Sequence, residues 1–140
     1  MSNLKVFTKN LVLDTGKRRE AINITGEIQG AVTESGIRSG ICLAFTTHST
    51  SAIIVNEDEE GLKSDILKKT AEDFPESRAW AHNRIDDNAD AHLAGAYLGP
   101  SVTIPVMGGR LALGTWQSVF FLELDGPRTG RRVIVQVMGE

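Results

Sequence analysis

The chain has 140 residues, of which 41% are hydrophobic and 24% are charged, and its formal net charge is −3. This length and composition predict a single globular domain over residues 1–140 that buries its core without disulfides. The acidic balance argues against general binding to nucleic acid, which needs a basic surface. The single cysteine, Cys42, excludes an internal disulfide. No stretch is apolar enough for a membrane span or a signal peptide, so we expect a cytoplasmic protein.

The first half of the chain predicts short strands around one helix. Alternating or continuous apolar residues predict four strands. They cover residues 4–13, 21–24, 41–45 and 52–55. Between the second and third strands, Thr25 is placed to cap a helix over 27–35, and Gly36 is placed to end it.

The second half predicts two helices followed by three strands. Apolar residues recur at helical spacing over 58–73, and a run of small residues predicts another helix over 88–98. The strands cover residues 102–107, 111–124 and 133–138. The pattern indicates the α+β class, with mostly antiparallel strands in one or two sheets and two or three helices inserted mid-chain.

All three histidines are candidates for one site. His82 and His92 lie ten positions apart in a polar segment, and His48 follows a buried strand. Three imidazoles around an open coordination position form a zinc arrangement that activates water. Asn88 lies on the same helix face as His92 and is a candidate for substrate binding. The alternative is that one or two histidines are satisfied by the backbone and have no other role. The hypothesis is a three-histidine site for a divalent metal, with zinc favoured by imidazole ligands.

Two carboxylates are candidates for catalysis beside the histidines. Glu57 directly follows the strand over 52–55, and Asp65 could face inward from the helix over 58–73. The acids at 58–60 are better explained as a solvated helix start, where negative charge is favourable. We therefore expect Glu57 or Asp65 to act as a base or to support a metal ligand.

Four further polar residues are candidates for substrate binding. Arg110 and Arg128 sit beside glycine-containing turns, where a guanidinium fork could hold phosphate. Exposed arginines in turns are also common for solubility alone. Thr115 and Gln117 point to the same face of the strand expected over 111–124, so they could bind a polar ligand.

Four segments together strongly resemble the YjbQ-like family. They are HSTSAIIVNE (48–57), DNADAHL (87–93), LGPSVTIPVMGGRLALGTWQ (98–117) and ELDGPRTGRRVIVQVMG (123–139). The most specific part is the order of AHL, a Gly-x-Ser-x-x-x-Pro stretch and GTWQ. The resemblance covers nearly the whole chain from about residue 4 onward. One departure is that residues 58–61 lack the proline often found after the Asn-Glu pair.

The resemblance implies a β-sandwich-like arrangement of sheets and a homotrimer with sites near the subunit boundaries. It places the family's recurring polar positions on eight residues: His48, Asp65, His82, Asn88, His92, Thr115, Gln117 and Glu123. Some family members are assigned a secondary thiamine-phosphate synthase activity. The resemblance therefore implies that the three histidines share a site.

The first hypothesis is an enzyme that acts on a phosphorylated small molecule through a three-histidine metal site. The resemblance implies that it also has weak thiamine-phosphate synthase activity. A metal-dependent phosphoester hydrolase is chemically at least as natural, because synthase chemistry favours magnesium with oxygen ligands whereas imidazoles favour zinc. The alternative class is a non-catalytic homotrimer that binds a metal or a metabolite. We expect self-association and a phosphorylated ligand, with no nucleic-acid or membrane partner.

Overall fold

The computed structural model describes residues 3–140. The strands of this part are β1 (Lys5–Leu13), β2 (Glu20–Asn23), β3 (Ser39–Thr46), β4 (Ser51–Asn56), β5 (Ser101–Met107), β6 (Arg110–Leu111), β7 (Ser118–Glu123) and β8 (Arg131–Gly139). The α-helices are α1 (Thr25–Ser35), α2 (Glu60–Asp73) and α3 (Ala89–Leu98), and a 3₁₀ helix covers Ala81–Arg84. None of the helices described is long and apolar enough to cross a bilayer.

The strands form two antiparallel sheets. The larger sheet has the order β1-β8-β3-β5-β6 and the smaller has the order β2-β7-β4. Every pair of hydrogen-bonded neighbours is antiparallel. Together with the three helices, this arrangement confirms the predicted α+β class.

Strand β7 lies between two cores. Val119 and Phe121 point toward the larger sheet and pack in one core with residues of β8, β3 and α1. Phe120 and Leu122 point to the opposite side, as strand geometry requires, and pack in a second core with residues of α2 and α3. Because both of its faces are covered, β7 carries any polar group near its end into a buried region.

Helix α1 begins at Thr25 itself, so the prediction that Thr25 caps this helix is wrong. The Oδ1 atom of Asn23 accepts a hydrogen bond from the Thr25 backbone N–H at 3.0 Å. The Thr25 Oγ1 atom accepts one from the Val119 N–H at 2.8 Å. The hydroxyl therefore joins the helix to β7 instead of capping it. At the other end, Gly36 ends the helix with φ 69°, as predicted.

The strand predicted over 111–124 is interrupted. β6 ends at Leu111 and β7 begins at Ser118, and the two strands belong to different sheets. The chain turns between them, where the Gly114 N–H donates to Gln117 Oε1 at 2.8 Å and the Gln117 N–H donates to Gly114 O at 3.0 Å. Because apolar residues lie on both sides of the turn, the sequence pattern does not show that the chain passes from one sheet to the other. Thr115 and Gln117 consequently lie in a connection and not on one strand face.

The outer face of the larger sheet carries an apolar row that is open to solvent. Val6 of β1 pairs with Met138 of β8, which pairs with Ile41 of β3. The exposed fractions of these three residues are 58%, 37% and 44%. Along the same face of β3, Phe45 is also exposed. Helix α1 packs on the opposite, inner face of this sheet, so nothing described in the chain covers the outer face.

A buried ion pair forms where β7 ends beside β8. Glu123 is fully buried, and Arg131 Nε donates to Glu123 Oε1 at 2.9 Å, while Arg131 Nη2 donates to Glu123 Oε2. The Thr15 hydroxyl donates to Glu123 Oε1 at 2.7 Å, and Arg131 Nη2 also donates to Thr50 Oγ1 at 2.9 Å. Burial raises the pKa of Glu123, but the hydrogen bonds from Arg131, Thr15 and the Asp125 N–H outweigh this effect and lower it overall. The carboxylate is therefore ionised and ties the two sheets together.

We predict that this pair makes the fold sensitive to acid. Because the pKa of Glu123 is lowered in the folded chain, its stabilising contribution is present above the ordinary glutamate pKa of about 4.3 and is lost as the pH falls through the folded-state pKa. The substitution Glu123→Gln leaves Arg131 buried without a charged partner, so the free energy of unfolding at pH 7 should fall by about 3–5 kcal/mol. Urea denaturation at pH 7 and pH 3.5 measures both effects.

The matched control for this prediction is Glu72→Gln, which neutralises an exposed carboxylate on α2. It should change the free energy of unfolding by no more than about 0.5 kcal/mol. If Glu123→Gln were as stable as this control at pH 7, or lost as much stability on acidification as the wild type, the role given to the ion pair would be wrong.

Candidate functional site

His82 and His92 meet at one place in the structure. His82 lies on the 3₁₀ helix that precedes α3, and His92 lies in the first half of α3. Their ring centroids are 4.7 Å apart and the rings meet edge to face. Both side chains are partly buried. The turn before the helix therefore folds one imidazole onto the other, as a shared site requires.

Asn88 fixes the orientation of His82. The Asn88 Nδ2 group donates to Asp125 Oδ2 at 2.8 Å, and Asn88 Oδ1 lies 3.2 Å from His82 Nε2. A carboxylate accepts hydrogen bonds, so the amide must turn its nitrogen toward Asp125 and its oxygen toward His82. That oxygen can only accept, so Nε2 of His82 carries a proton. In the neutral imidazole, Nδ1 then keeps its lone pair for a proton or a metal ion.

Asp125 anchors this chain of hydrogen bonds. It lies two residues beyond Glu123 and is only 8% exposed. Burial raises its pKa, but the hydrogen bonds from Asn88 and Arg128 and the positive charges of Arg18 and Arg128 outweigh this effect and lower it overall. Asp125 is therefore a carboxylate at neutral pH, which is the state that orients the amide of Asn88.

Arginines surround the two buried carboxylates of the site. Arg128 donates from Nη2 to Asp125 Oδ2 at 2.9 Å, and its side chain remains 52% exposed. Arg18 lies 3.5 Å from Asp125 Oδ1 and donates to both oxygens of the buried Asp90. Arg19 also donates to Asp90, at 2.7 Å. The histidine pair is thus linked through Asn88 to a cluster of guanidinium groups, of which Arg128 is the more exposed of the two at Asp125.

His48 has a different partner. It follows β3, and its Nε2 atom accepts a hydrogen bond from the Arg132 backbone N–H at 2.9 Å. Burial and the nearby charge of Arg131 lower the pKa of His48, so it is a neutral imidazole with Nε2 already occupied. Within residues 3–140 of one chain, no group of three or more His, Cys, Asp or Glu side chains could hold a metal ion. The expected three-histidine site is therefore not formed among the described residues of one chain. The Nε2 atom of His48 is instead bonded to the backbone of β8.

The two carboxylates expected beside the histidines lie elsewhere along the chain. Glu57 follows β4 and is partly buried, and Asp65 lies on an exposed position of α2. In the part of the chain described, no hydrogen bond or ion pair joins either side chain to His82 or His92. The carboxylate that reaches the histidine pair is instead Asp125, through Asn88.

The two arginines expected to hold phosphate are separated. Arg128 contacts Asp125, whereas Arg110 follows the turn after β5. Met107, at the end of β5, pairs with Ser39 at the start of β3, while His48 follows the end of β3. The length of β3 separates these two ends by roughly 25 Å. Arg128 shortly precedes β8, whose Arg132 N–H bonds to His48, so Arg110 and Arg128 lie toward opposite ends of β3 and cannot bind the same phosphate.

Sequence reasoning missed several residues that hold the site. Asp125, Arg18 and Asp90 are not among the candidates drawn from the sequence, although Arg18 contacts both of these carboxylates. Asp125 and Arg128 both fall within ELDGPRTGRR, one of the segments that carry the family resemblance. The sequence signal for these residues was a Gly-Pro turn directly after a buried strand, with a charged residue on each side of it.

Comparisons with known proteins agree with this fold. Residues 9–140 match the family described as UPF0047 protein YjbQ-like. A UPF0047 protein of Methanothermobacter thermautotrophicus is 49% identical over 98% of this chain and 95% of its own length. One from Archaeoglobus fulgidus is 50% identical over 91% of this chain and 98% of its own length.

Solved structures show the same architecture. A YbjQ-like protein from Sulfolobus solfataricus is 46% identical, with a TM-score of 0.97 over 99% of this chain and 100% of that one. A hypothetical protein from Aeropyrum pernix is 38% identical, with a TM-score of 0.92 over 95% of this chain and 98% of that one. The chain therefore belongs to the UPF0047 family of YjbQ-like proteins.

Proposed function

We propose that this protein is an enzyme that acts on a phosphorylated small molecule at the His82–His92 pair. The observation that carries the proposal is the hydrogen-bonded connection from His82 through Asn88 to Asp125, because the same carboxylate holds Arg128. This network holds an oriented imidazole, which can move a proton, and an accessible guanidinium, which can bind a phosphate group.

Hydrolysis of a phosphoester is the reaction that fits these residues best. His82, with Nε2–H bonded to Asn88, accepts a proton at Nδ1 from the attacking water. The oxygen of the water then bonds to phosphorus, the bond from phosphorus to the ester oxygen breaks, and His92 in its protonated form gives a proton to the leaving oxygen. In this scheme the two imidazoles divide the work of general base and general acid.

Arg128 binds the phosphate in this proposal. Its Nε and Nη2 groups face Asp125, while its half-exposed side chain leaves the outer edge of the guanidinium to a ligand. Guanidinium groups match phosphate oxygens with paired, charge-assisted hydrogen bonds. Arg18 is already shared between Asp90, Asp125 and Glu76 and supports the positive potential without binding directly.

We propose a divalent metal only as a partly coordinated ion. His82 and His92 would supply two of its ligands, and imidazole ligands favour zinc. Catalytic zinc sites use three protein ligands, and one chain offers two adjacent imidazoles here. A third ligand would have to come from a second copy or from His48 after release from Arg132. When bound, such an ion would polarise a phosphate oxygen or a water molecule.

Weak thiamine-phosphate synthase activity is a secondary expectation. That reaction releases pyrophosphate, which magnesium with oxygen ligands stabilises best, whereas the site presents nitrogen ligands. The second candidate class is a non-catalytic homotrimer that binds a metal or a metabolite. It is favoured by one observation, namely that the arginines of the site already pair with Asp90 and Asp125.

We also propose that the chain self-associates through the outer face of the five-stranded sheet, with the homotrimer implied by the family resemblance as the expected state. The exposed residues Val6, Ile41, Phe45 and Met138 share this face. Four neighbouring strands of about seven residues cover roughly 450 Å² in projection, which is about half of the surface that each partner buries in a typical stable interface. The exposed apolar side chains on this open face are the kind of surface that self-association would cover.

The proposed chemistry predicts different losses in two variants. His92→Ala removes the proton donor and should lower kcat for phosphate release by about 100-fold or more. Arg128→Gln removes a phosphate contact and should raise KM about tenfold with a smaller effect on kcat. Phosphate release from a panel of phosphomonoesters, beginning with p-nitrophenyl phosphate, provides the measurement.

The control for these variants is Lys68→Gln, which neutralises an exposed cation on α2 and should behave as the wild type. Circular dichroism should show that all three variants are folded. Turnover that survives unchanged in His92→Ala would contradict the proposal, and so would an Arg128→Gln enzyme with unaltered KM.

The proposed association predicts that a charge on the sheet face disperses the oligomer. Phe45→Glu introduces a carboxylate that would be buried without a partner in the interface, at a cost of several kcal/mol, so the protein should become monomeric in sedimentation velocity. Ile85→Glu is the control, because Ile85 is 85% exposed and lies outside both sheets. A wild type that sediments as a monomer, or a Phe45→Glu protein that remains oligomeric, would exclude this face.

A further inference from the structure

A second cluster of arginines lies at the opposite end of β3 from His48. A cavity of about 300 Å³ lies between the end of α1 and the turn that joins β5 to β6, and Arg38, Arg110, Gly108 and Gly109 help to line it. It shares no lining residue with the histidine site. We infer that this cavity binds a dianionic phosphate, either free or as the phosphate group of a small metabolite.

Both arginines of the cavity lack an acidic partner. No carboxylate of residues 3–140 forms an ion pair with Arg38 or Arg110. The nearby acids are engaged elsewhere, since Glu34 pairs with Lys9 at 2.6 Å and Glu140 accepts the Asn3 N–H with its side chain. Both arginines are exposed to solvent at the cavity, and their unpaired guanidinium groups supply the bidentate donors that phosphate prefers.

The turn beneath the arginines is held in place. Gly108 and Gly109 have φ values of 60° and 75°, which glycine adopts without strain. The Gln29 side chain of α1 braces the hairpin by accepting from the Leu111 N–H at 2.9 Å and donating to Gly109 O at 3.2 Å. A turn fixed in this way holds Arg110 in place beside the cavity and loses little entropy when the arginine side chains bind an anion.

Arg38 lies directly against this turn. Its backbone oxygen accepts the Gly109 N–H at 3.0 Å. A Cβ atom at Gly109 would lie 3.4 Å from Arg38 Nη1, so the guanidinium lies close to the backbone of the turn. The alternative explanation is that Arg38 only offsets the negative end of the α1 dipole. That explanation accounts for a change in stability but not for phosphate binding, and it gives no role to Arg110.

Titration with inorganic phosphate, followed by ¹H–¹⁵N NMR at low salt on the full chain, tests the inference. The amides of Gly108, Gly109 and Arg110 should shift and saturate. In the double variant Arg38→Gln/Arg110→Gln the affinity at these amides should fall by at least about tenfold. Arg128→Gln and Lys68→Gln should leave them unchanged. Repeating the titration with glycerol phosphate separates a site for free phosphate from a site for a phosphomonoester.

The readout distinguishes this site from the proposed catalytic one. Shifts confined to the amides around His82 and Asn88 would overturn the inference and leave the proposed function standing. Equal shifts at Gly108 and Gly109 in the wild type and the double variant would also overturn it. A double variant that only melts at a lower temperature, in a protein whose wild type gains no thermal stability from phosphate, would show that the arginines serve α1 alone.

Discussion

The carboxyl end of β7 is the constraint on which the candidate site depends. The strand is covered on both faces, by the larger sheet and by α2 and α3, yet it ends in Glu123 and is followed two residues later by Asp125. Buried carboxylates are costly unless they are paired and hydrogen-bonded. Glu123 meets this need with Arg131 and Thr15, and Asp125 meets it with Asn88 and Arg128.

As a consequence, the buried Asp125 orients the residues of the site that lie closer to the surface. Asp125 fixes the amide of Asn88, the amide fixes the proton on His82, and the segment between them brings His82 against His92. Among residues 3–140, no carboxylate is bonded directly to the His82 or His92 ring, so Asp125 controls which nitrogen of His82 is protonated without pairing with the ring. This arrangement separates the structural role of Asp125 from the chemical role of the histidines.

Much of the fold could be read from the sequence, because it depends on local periodicity. The alternation in β1, the helical spacing in α2 and the glycine that ends α1 each report a local preference, and each appears in the structure. The boundary between β6 and β7 could not be read in this way. The chain changes sheets there, and the choice of sheet is a tertiary event that leaves the apolar pattern on either side intact.

The site was predictable only in part for the same reason. The proximity of His82 and His92 follows from a short turn and a helix, so their short separation in the sequence was enough to predict that they share a site. The position of His48 depends on the register of β8 with β3, which presents the Arg132 N–H to its ring, and no spacing encodes that register. No local pattern marks Asp125 as buried, because its burial comes from the layers packed around β7.

The protonation state of His82 tests the central claim most directly. Long-range ¹H–¹⁵N correlation NMR at a pH where the ring is neutral distinguishes the two tautomers. We expect a proton on Nε2 in the wild type, and loss of that preference in Asn88→Ala but not in Asn56→Ala, a substitution of an exposed asparagine at the end of β4. A proton on Nδ1 in the wild type, or an unchanged tautomer in Asn88→Ala, would contradict it.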